Sequence, residues 1–204
     1  MLSEIFKKMR VVDASVRSAY GDSPWRYFKV GYISFLRVNV YEVLCVATDG
    51  YAAPVEGVAV QAWDLDRLRA YREGKTLPRE FYMDQAKNLL NPWVVLQDDE
   101  VVYIAWEVEK QRSRFLVLGD GEVEISHSLT LPAHRRKGLH RKAFVSLIEE
   151  MGKRGCERVF AVVHNENVNS LCSLKAIGMQ TRARIVGPGR LIRKFNTARA
   201  AGDH

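Results

Sequence analysis

Cysteine is scarce in this chain, and the three present, Cys45, Cys156 and Cys172, are odd in number and far apart. No CxxC pair and no Cys/His spacing of the zinc type occurs, so neither a disulfide framework nor a structural zinc site has support and no metal is expected. That usage suits a reducing, cytoplasmic setting. A membrane span is also missing, because the longest apolar stretch, Val30–Ala47, is broken by Arg37, Asn39 and Glu42. It is too polar to cross a bilayer unaided and reads as strands. Met1–Arg10 carries Glu4, Lys7, Lys8 and Arg10 without a long apolar core, unlike a secretory leader. Repeats and low-complexity segments are lacking. So are GxxxxGK[ST] and GxGxxG, which removes the phosphate-binding loop of nucleotide hydrolases and the dinucleotide fingerprint.

What is present is an ordinary globular composition: 204 residues, 47% hydrophobic and 27% charged. This supports one domain with a real core. The formal charge of +7 favours anionic partners: a phosphate-bearing cofactor, an acidic substrate, nucleic acid or a membrane surface. Charge alone does not choose among them.

Along the chain, Ile5, Met9, Val12 and Val16 recur at helical spacing within Leu2–Tyr20, stopped by Gly21-Asp22-Ser23-Pro24. Strands are expected over Arg26–Leu36 and Asn39–Ala47, with a further apolar run over Val55–Trp63. Asp64 is placed to cap a helix over Leu65–Glu73, and a second helix is expected within Arg79–Leu90, ended by Asn91-Pro92. Trp93–Leu96 and Val101–Glu109 read as a hairpin about Gln97-Asp98-Asp99-Glu100, with Phe115–Leu118 extending that sheet. Strand Val123–Leu131, helix Arg141–Arg154, strand Arg158–His164 and helix Val168–Ala176 follow. Gln180–Val186 and Arg190–Phe195 close the chain as a hairpin about Gly187-Pro188-Gly189.

The chemistry lies in Leu131-Pro-Ala-His-Arg-Arg-Lys-Gly-Leu-His-Arg-Lys-Ala-Phe144, a turn between a strand and a helix. Free backbone N–H groups at a helix start converge on one point, and the helix dipole adds to their pull on an anion. Gly138 lets a ligand approach the backbone, and Arg135, Arg136, Lys137, Arg141 and Lys142 surround the turn with positive charge. A pyrophosphate fits such a place. The bland meaning, a solvated basic helix end, is common.

The run Pro132-Ala-His-Arg-Arg-Lys-Gly138-Leu-His140 resembles the signature of GNAT N-acetyltransferases, Arg/Gln-x-x-Gly-x-Gly/Ala after a strand. Arg135 and Gly138 match, whereas His140 stands where a small residue is usual. Asn167-Val-Asn-Ser170, followed by a helix and Ile177-Gly178-Met179, resembles the family's second motif at the family's separation. The resemblance covers Trp93–Phe195. It implies an α/β fold whose mixed, mostly antiparallel sheet is flanked by helices, with a V-shaped splay between two central strands. It further implies one GNAT domain over 1–204, with an acceptor-side part over 1–92, an acetyl-CoA-binding core over 93–196 and a frayed tail over 197–204.

By that resemblance, backbone groups of Leu129, Thr130 and Leu131 would pair with the pantetheine arm of acetyl-CoA. Arg135, Arg136, Lys137, Gly138, Leu139, His140 and Arg141 would hold its pyrophosphate, and Asn167 and Ser170 would complete the cofactor contacts. Asn167 suits a helix N-cap equally well. The reaction would be direct attack of a primary amine on the thioester. Glu124, on the strand entering the motif, is the first candidate base, and its alternation with Glu122, Ser126 and Ser128 puts all four on one face. His127 is the second candidate and His164 a lesser one. The tyrosine that often protonates the leaving thiolate is replaced by Leu174, with Cys172 and Ser173 beside it. That absence keeps open a second reading, a GNAT-fold module binding CoA or an anion without turnover. A nucleic-acid partner is the weakest reading, since the basic run has no interleaved aromatics and no recognised motif. A homodimer remains open.

Overall fold

The computed structural model describes residue 25, residues 38–188 and residues 193–198. The expected helix Leu2–Tyr20 and strand Arg26–Leu36 lie outside the described residues, as does the first half of Arg190–Phe195. Nine strands are described. They are β1 (Val38–Ala47), β2 (Gln61–Ala62), β3 (Asn91–Gln97), β4 (Glu100–Val108), β5 (Leu116–Val117), β6 (Glu122–Thr130), β7 (Arg158–His164), β8 (Gln180–Pro188) and β9 (Phe195–Asn196). The α-helices are α1 (Leu65–Arg72), α2 (Met83–Lys87), α3 (Leu139–Lys153) and α4 (Val168–Lys175), with 3-10 turns at Arg79–Tyr82 and Pro132–His134.

Seven strands form one sheet in the order β2-β3-β4-β6-β7-β1-β8. Every neighbouring pair is antiparallel except β6 and β7. β1 therefore sits inside the sheet, paired with β7 through Tyr41↔His164 to Ala47↔Arg158 and with β8 on its other side. Such a strand is covered on both faces. Leu44 joins the cluster under α3, while Val43 and Cys45 face the opposite side.

Local rules explain several boundaries. Asp64 accepts a hydrogen bond from Arg67 N at 2.7 Å and caps α1. Asp98 and Asp99 hold φ of 51° and 61°, the left-handed pair that a two-residue hairpin turn needs, so β3 and β4 close tightly. The expected helix within Arg79–Leu90 is instead a 3-10 turn followed by the short α2, which Asn88 ends in the left-handed region at φ 56°. Asn91 and Pro92 do not stop that helix; they begin β3.

Two further expectations are corrected. Phe115–Leu118 does not extend the main sheet: β5 pairs in parallel with β9 as a separate two-stranded piece. Phe195 is consequently a partner of Leu116 rather than the far strand of a hairpin with β8.

The sheet is packed on both faces. On one, α3 buries Phe144, Leu147, Ile148 and Met151 against Tyr103, Ala105, Val123, Ile125 and Val159, with Leu171 and Leu174 of α4 beside them. Each such large side chain stabilises the fold by roughly 1.5–3 kcal/mol relative to exposure. On the other face Ile104 and Trp106 pack with Leu68, Phe81 and Met83. Farther along that face, Leu116 and Leu118 cover Val43, Cys45 and Phe160. The layer opposite α3 thus has two parts: the α1–α2 region over β3 and β4, and the β5–β9 piece over β7 and β1.

Candidate active site

β6 and β7 run side by side only through Glu122↔Arg158, Val123↔Val159 and Glu124↔Phe160. Beyond Glu124 the strands part, since β6 continues to Thr130 along β4 and β7 continues to His164 along β1. Parallel strands that separate leave backbone groups facing a gap. A cavity of about 660 Å³ fills it, lined by Glu124 to Thr130 on one wall and Ala161 to His164 on the other.

A β-bulge shapes the β6 wall. Ile104 pairs with Leu129 and Trp106 with Ser126, so one residue more is spent on β6 than on β4. His127 takes φ 49°, a left-handed conformation rare for a histidine. The bulge reverses the alternation of side chains. Ser128 no longer shares the face of Glu122 and Glu124, as a regular strand would require, but meets α3, where its Oγ lies 3.2 Å from His140 Nε2.

Glu122 and Glu124 are both buried, and only Glu124 lines the cavity. Glu122 is structural: it accepts from Gly119 N at 2.5 Å, pairs with Arg158 and receives the Thr197 hydroxyl. Glu124 accepts from Ser113 Oγ at 2.5 Å, and Ser113 Oγ in turn accepts from Leu116 N at 3.0 Å. Burial pushes the Glu124 carboxyl above its usual range, with Ser113 and the charge of Lys194 pulling the other way. His127 is driven to about 4 by burial and by the charges of Arg79 and Lys87, which leaves it neutral at pH 7 and a weak base. His164 Nδ1 accepts from Glu166 N at 3.2 Å and Nε2 lies 3.1 Å from Asn39 Oδ1, so both ring nitrogens are engaged.

The turn into α3 has the form an anion needs. Arg136 and Gly138 take φ of 64° and 72°, and the first helical bond runs from Lys142 N to Gly138 O at 3.1 Å. The N–H groups of Leu139, His140 and Arg141 precede that bond and have no partner within the helix. A Cβ built on Gly138 would meet nothing within 4 Å, so the space in front of the turn is open. Arg136, Lys137 and Arg141 are exposed around it, outside the cavity lining. Arg135 lines the cavity and donates from Nε to Thr130 O at 3.1 Å.

Leu131 N donates to Val102 O at 3.0 Å. By strand alternation, then, the backbone groups of Leu129 and Leu131 turn to β4 and those of Thr130 turn to the gap. A β-like contact along all of Leu129 to Leu131 is not available in this register; Thr130 alone offers it. Thr130 Oγ1 is buried with no hydrogen-bond partner among the described residues. Asn167 caps α4 by accepting from Ser170 N at 3.3 Å, and both residues line the cavity.

His140 occupies the signature's small-residue position without closing the site. Its Nδ1 lies 2.9 Å from Ser173 Oγ, so the ring ties β6, through Ser128, to α4. Tyr103 and Phe144 flank it, with ring centroids at 6.0 and 5.7 Å. Neither serine's role was readable from the motif, because both contacts depend on the bulge and the placement of α4. Leu174, in the tyrosine position, packs in the core beneath α4 and also lines the cavity.

Burial lowers His140 from 6.5 to about 4. A group depressed in the folded state stabilises fully above its unfolded pKa, and the contribution is lost as pH falls toward the folded value. Stability is therefore expected to drop between pH 7 and pH 5, by about 1–2 kcal/mol from this ring. Urea unfolding at both pH values should show a smaller drop in His140→Gln; an equal drop would refute the assignment.

An α/β sheet that opens between two parallel strands, with a glycine-bearing helix start near the opening, defines the class of protein. A family model described as the acetyltransferase (GNAT) family matches residues 58–178, and the chain belongs to that family. The match begins well before Trp93, where the sequence resemblance starts. Solved structures share the fold. A GNAT-family acetyltransferase from Colwellia psychrerythraea superposes with TM-score 0.55 at 11% identity, covering 81% of this chain and 61% of that one. A GNAT-family protein from Novosphingobium aromaticivorans gives 0.52 at 15%, covering 74% and 64%. A Drosophila protein gives 0.52 at 13%, covering 78% and 53%. This chain thus spans less than two thirds of the length of each, and at such identities the likeness is one of fold. No curated protein matches the sequence. Among the described residues no helix is long and apolar enough to cross a membrane.

Proposed function

We propose that the protein transfers an acetyl group from acetyl-CoA to a primary amine by direct attack. The observation that carries this is the Gly138 turn, bracketed by the cavity-lining Arg135 and His140, beside a gap between β6 and β7 that holds one buried carboxylate among the described residues. The turn Arg136–Arg141 suits the pyrophosphate, and the Thr130 backbone N–H, turned to the gap, suits a pantetheine carbonyl. Glu124 takes one proton from the attacking ammonium; the amine nitrogen bonds to the acyl carbon, the carbon–sulfur bond breaks, and the second nitrogen proton passes through water to the departing thiolate. Holding both reactants in one gap supplies much of the acceleration.

Calorimetric titration with acetyl-CoA tests the reading. Saturable binding is expected for the wild type, with affinity about tenfold or more weaker in Gly138→Val. There a β-branched residue at φ 72° costs about 1–2 kcal/mol and its side chain enters the ligand space. An unsaturable wild type would sink the proposal. Leu174 lines the cavity where the family often has a tyrosine and has no proton to give, which favours a second reading, binding without turnover. Saturable binding with no thiol release across a broad amine panel would establish it.

A further inference from the structure

The cavity lining changes in character from one part to another. Arg135 and His140 bring it to the α3 turn. Elsewhere it is lined by Arg79 and Lys87, from the α1–α2 region, and by Arg112 and Arg114, from the segment that precedes β5. Arg79 begins the 3-10 turn whose Phe81 packs with Ile104 and Trp106, the face away from α3. Arg79 and Lys87 also both act on His127 in the gap. Arg112 is held by Glu109 at 2.7 Å, and Arg114 lies 5.0 Å over the Phe115 ring. Against these stands a single lining carboxylate among the described residues, Glu124, which is buried and already bonded to Ser113.

We infer that the acceptor is an amine that also carries an anionic group, a carboxylate or a phosphate, seated between Arg79/Lys87 and Arg112/Arg114 with its amine directed at Glu124. This rests on the acetyl-transfer reading above. Basic residues lining a low-dielectric cleft focus a positive field, which draws in an anion and repels a polycation. A polyamine or aminoglycoside site would need carboxylates at its rim, and this rim has cations. Nor do these cations serve the pyrophosphate, whose cradle lies on the α3 side. A zwitterion satisfies both ends: its anion meets the rim and its ammonium meets the buried carboxylate.

The test compares matched amines in a thiol-release assay: phenylalanine against phenylalaninamide, O-phosphoethanolamine against ethanolamine, and spermidine as the polycation. The anionic member of at least one pair should show kcat/KM about tenfold or more above its neutral partner, with spermidine poorest. The two pairs distinguish carboxylate from phosphate. In Arg79→Gln/Lys87→Gln and in Arg112→Gln/Arg114→Gln the preference should collapse through KM, while the dissociation constant for acetyl-CoA stays within about twofold. Raising salt should shrink the wild-type preference. Spermidine or the neutral partners reacting best, or the variants losing acetyl-CoA as strongly as the acceptor, would overturn the inference. The amines are also titrated without acetyl-CoA. Preferential binding of the anionic members there, in a protein that fails to bind acetyl-CoA, would leave the anion site standing and remove only the acetyl-transfer reading. No preference in either assay removes the site.

Discussion

Glu124→Gln is expected to lower kcat by about 10²–10⁴-fold while leaving the protein at least as stable at pH 8 as the wild type. The two effects have one origin. Glu124 is buried at the point where β6 and β7 part, and burial raises its carboxyl above the usual range. A carboxyl whose folded pKa is raised stabilises below its unfolded value, and that contribution is lost as pH rises through the folded one. At pH 8 folding of the wild type therefore works against the ionised carboxyl of the unfolded chain, a cost that glutamine lacks. The stability advantage of the variant should shrink toward pH 4, where the wild-type carboxyl is protonated. The same shift sets the acid limb of activity. Because the base must be ionised, wild-type kcat should rise with pH along a limb displaced above the ordinary carboxylate range, and the limb should vanish in the variant. An unchanged kcat, or an unfolding midpoint at pH 8 well below that of the wild type, would dismiss Glu124 as the base.

The parts of this site that were legible in the sequence are those written by local rules. A glycine with positive φ at a strand-to-helix turn, a basic flank and an asparagine cap are each set by neighbouring residues, and they stand where the motif puts them. The strands and helices from Trp93 to Ala176 were likewise readable from periodicity. Pairings between distant segments were not. β1 enters the sheet between β7 and β8 through hydrogen bonds that no local pattern encodes. Phe195–Asn196 joins β5 for the same reason.

The β6 bulge is the most consequential miss. Strict alternation puts Ser128 with Glu124, but one extra residue at His127 turns it toward α3. That turn gives His140 its partner and makes a bulky residue acceptable where a small one is usual. The basic rim was invisible for another reason. Arg79, Lys87, Arg112 and Arg114 come from two separate segments that line the gap, and in the sequence they are four cations among 31.

The acceptor wall depends in turn on a buried ion pair, and removing one member should have the largest effect on stability. Arg72, at the end of α1, forms two bonds with Asp84 of α2, at 2.8 and 2.9 Å, and also donates to Phe81 O at 2.8 Å. Both side chains are only 6% exposed. Arg72→Ala leaves the Asp84 carboxylate buried without its counter-charge, which costs about 3–5 kcal/mol. In a chain of this size that is a fall in unfolding midpoint of roughly 10 °C or more. Arg72→Met/Asp84→Leu removes both charges and should recover most of the loss, because an apolar pair of similar volume avoids the desolvation that the ions require. A double variant no more stable than Arg72→Ala would show that the bidentate geometry, not the orphaned charge, sets the cost. The functional consequence is separable. The pair anchors the segment that carries Arg79 and Lys87, so Arg72→Ala, assayed well below its own midpoint, should raise KM for an anionic amine while acetyl-CoA binds as in the wild type. Equal weakening of both ligands would mean that α1 and α2 support the whole cleft rather than its acceptor wall.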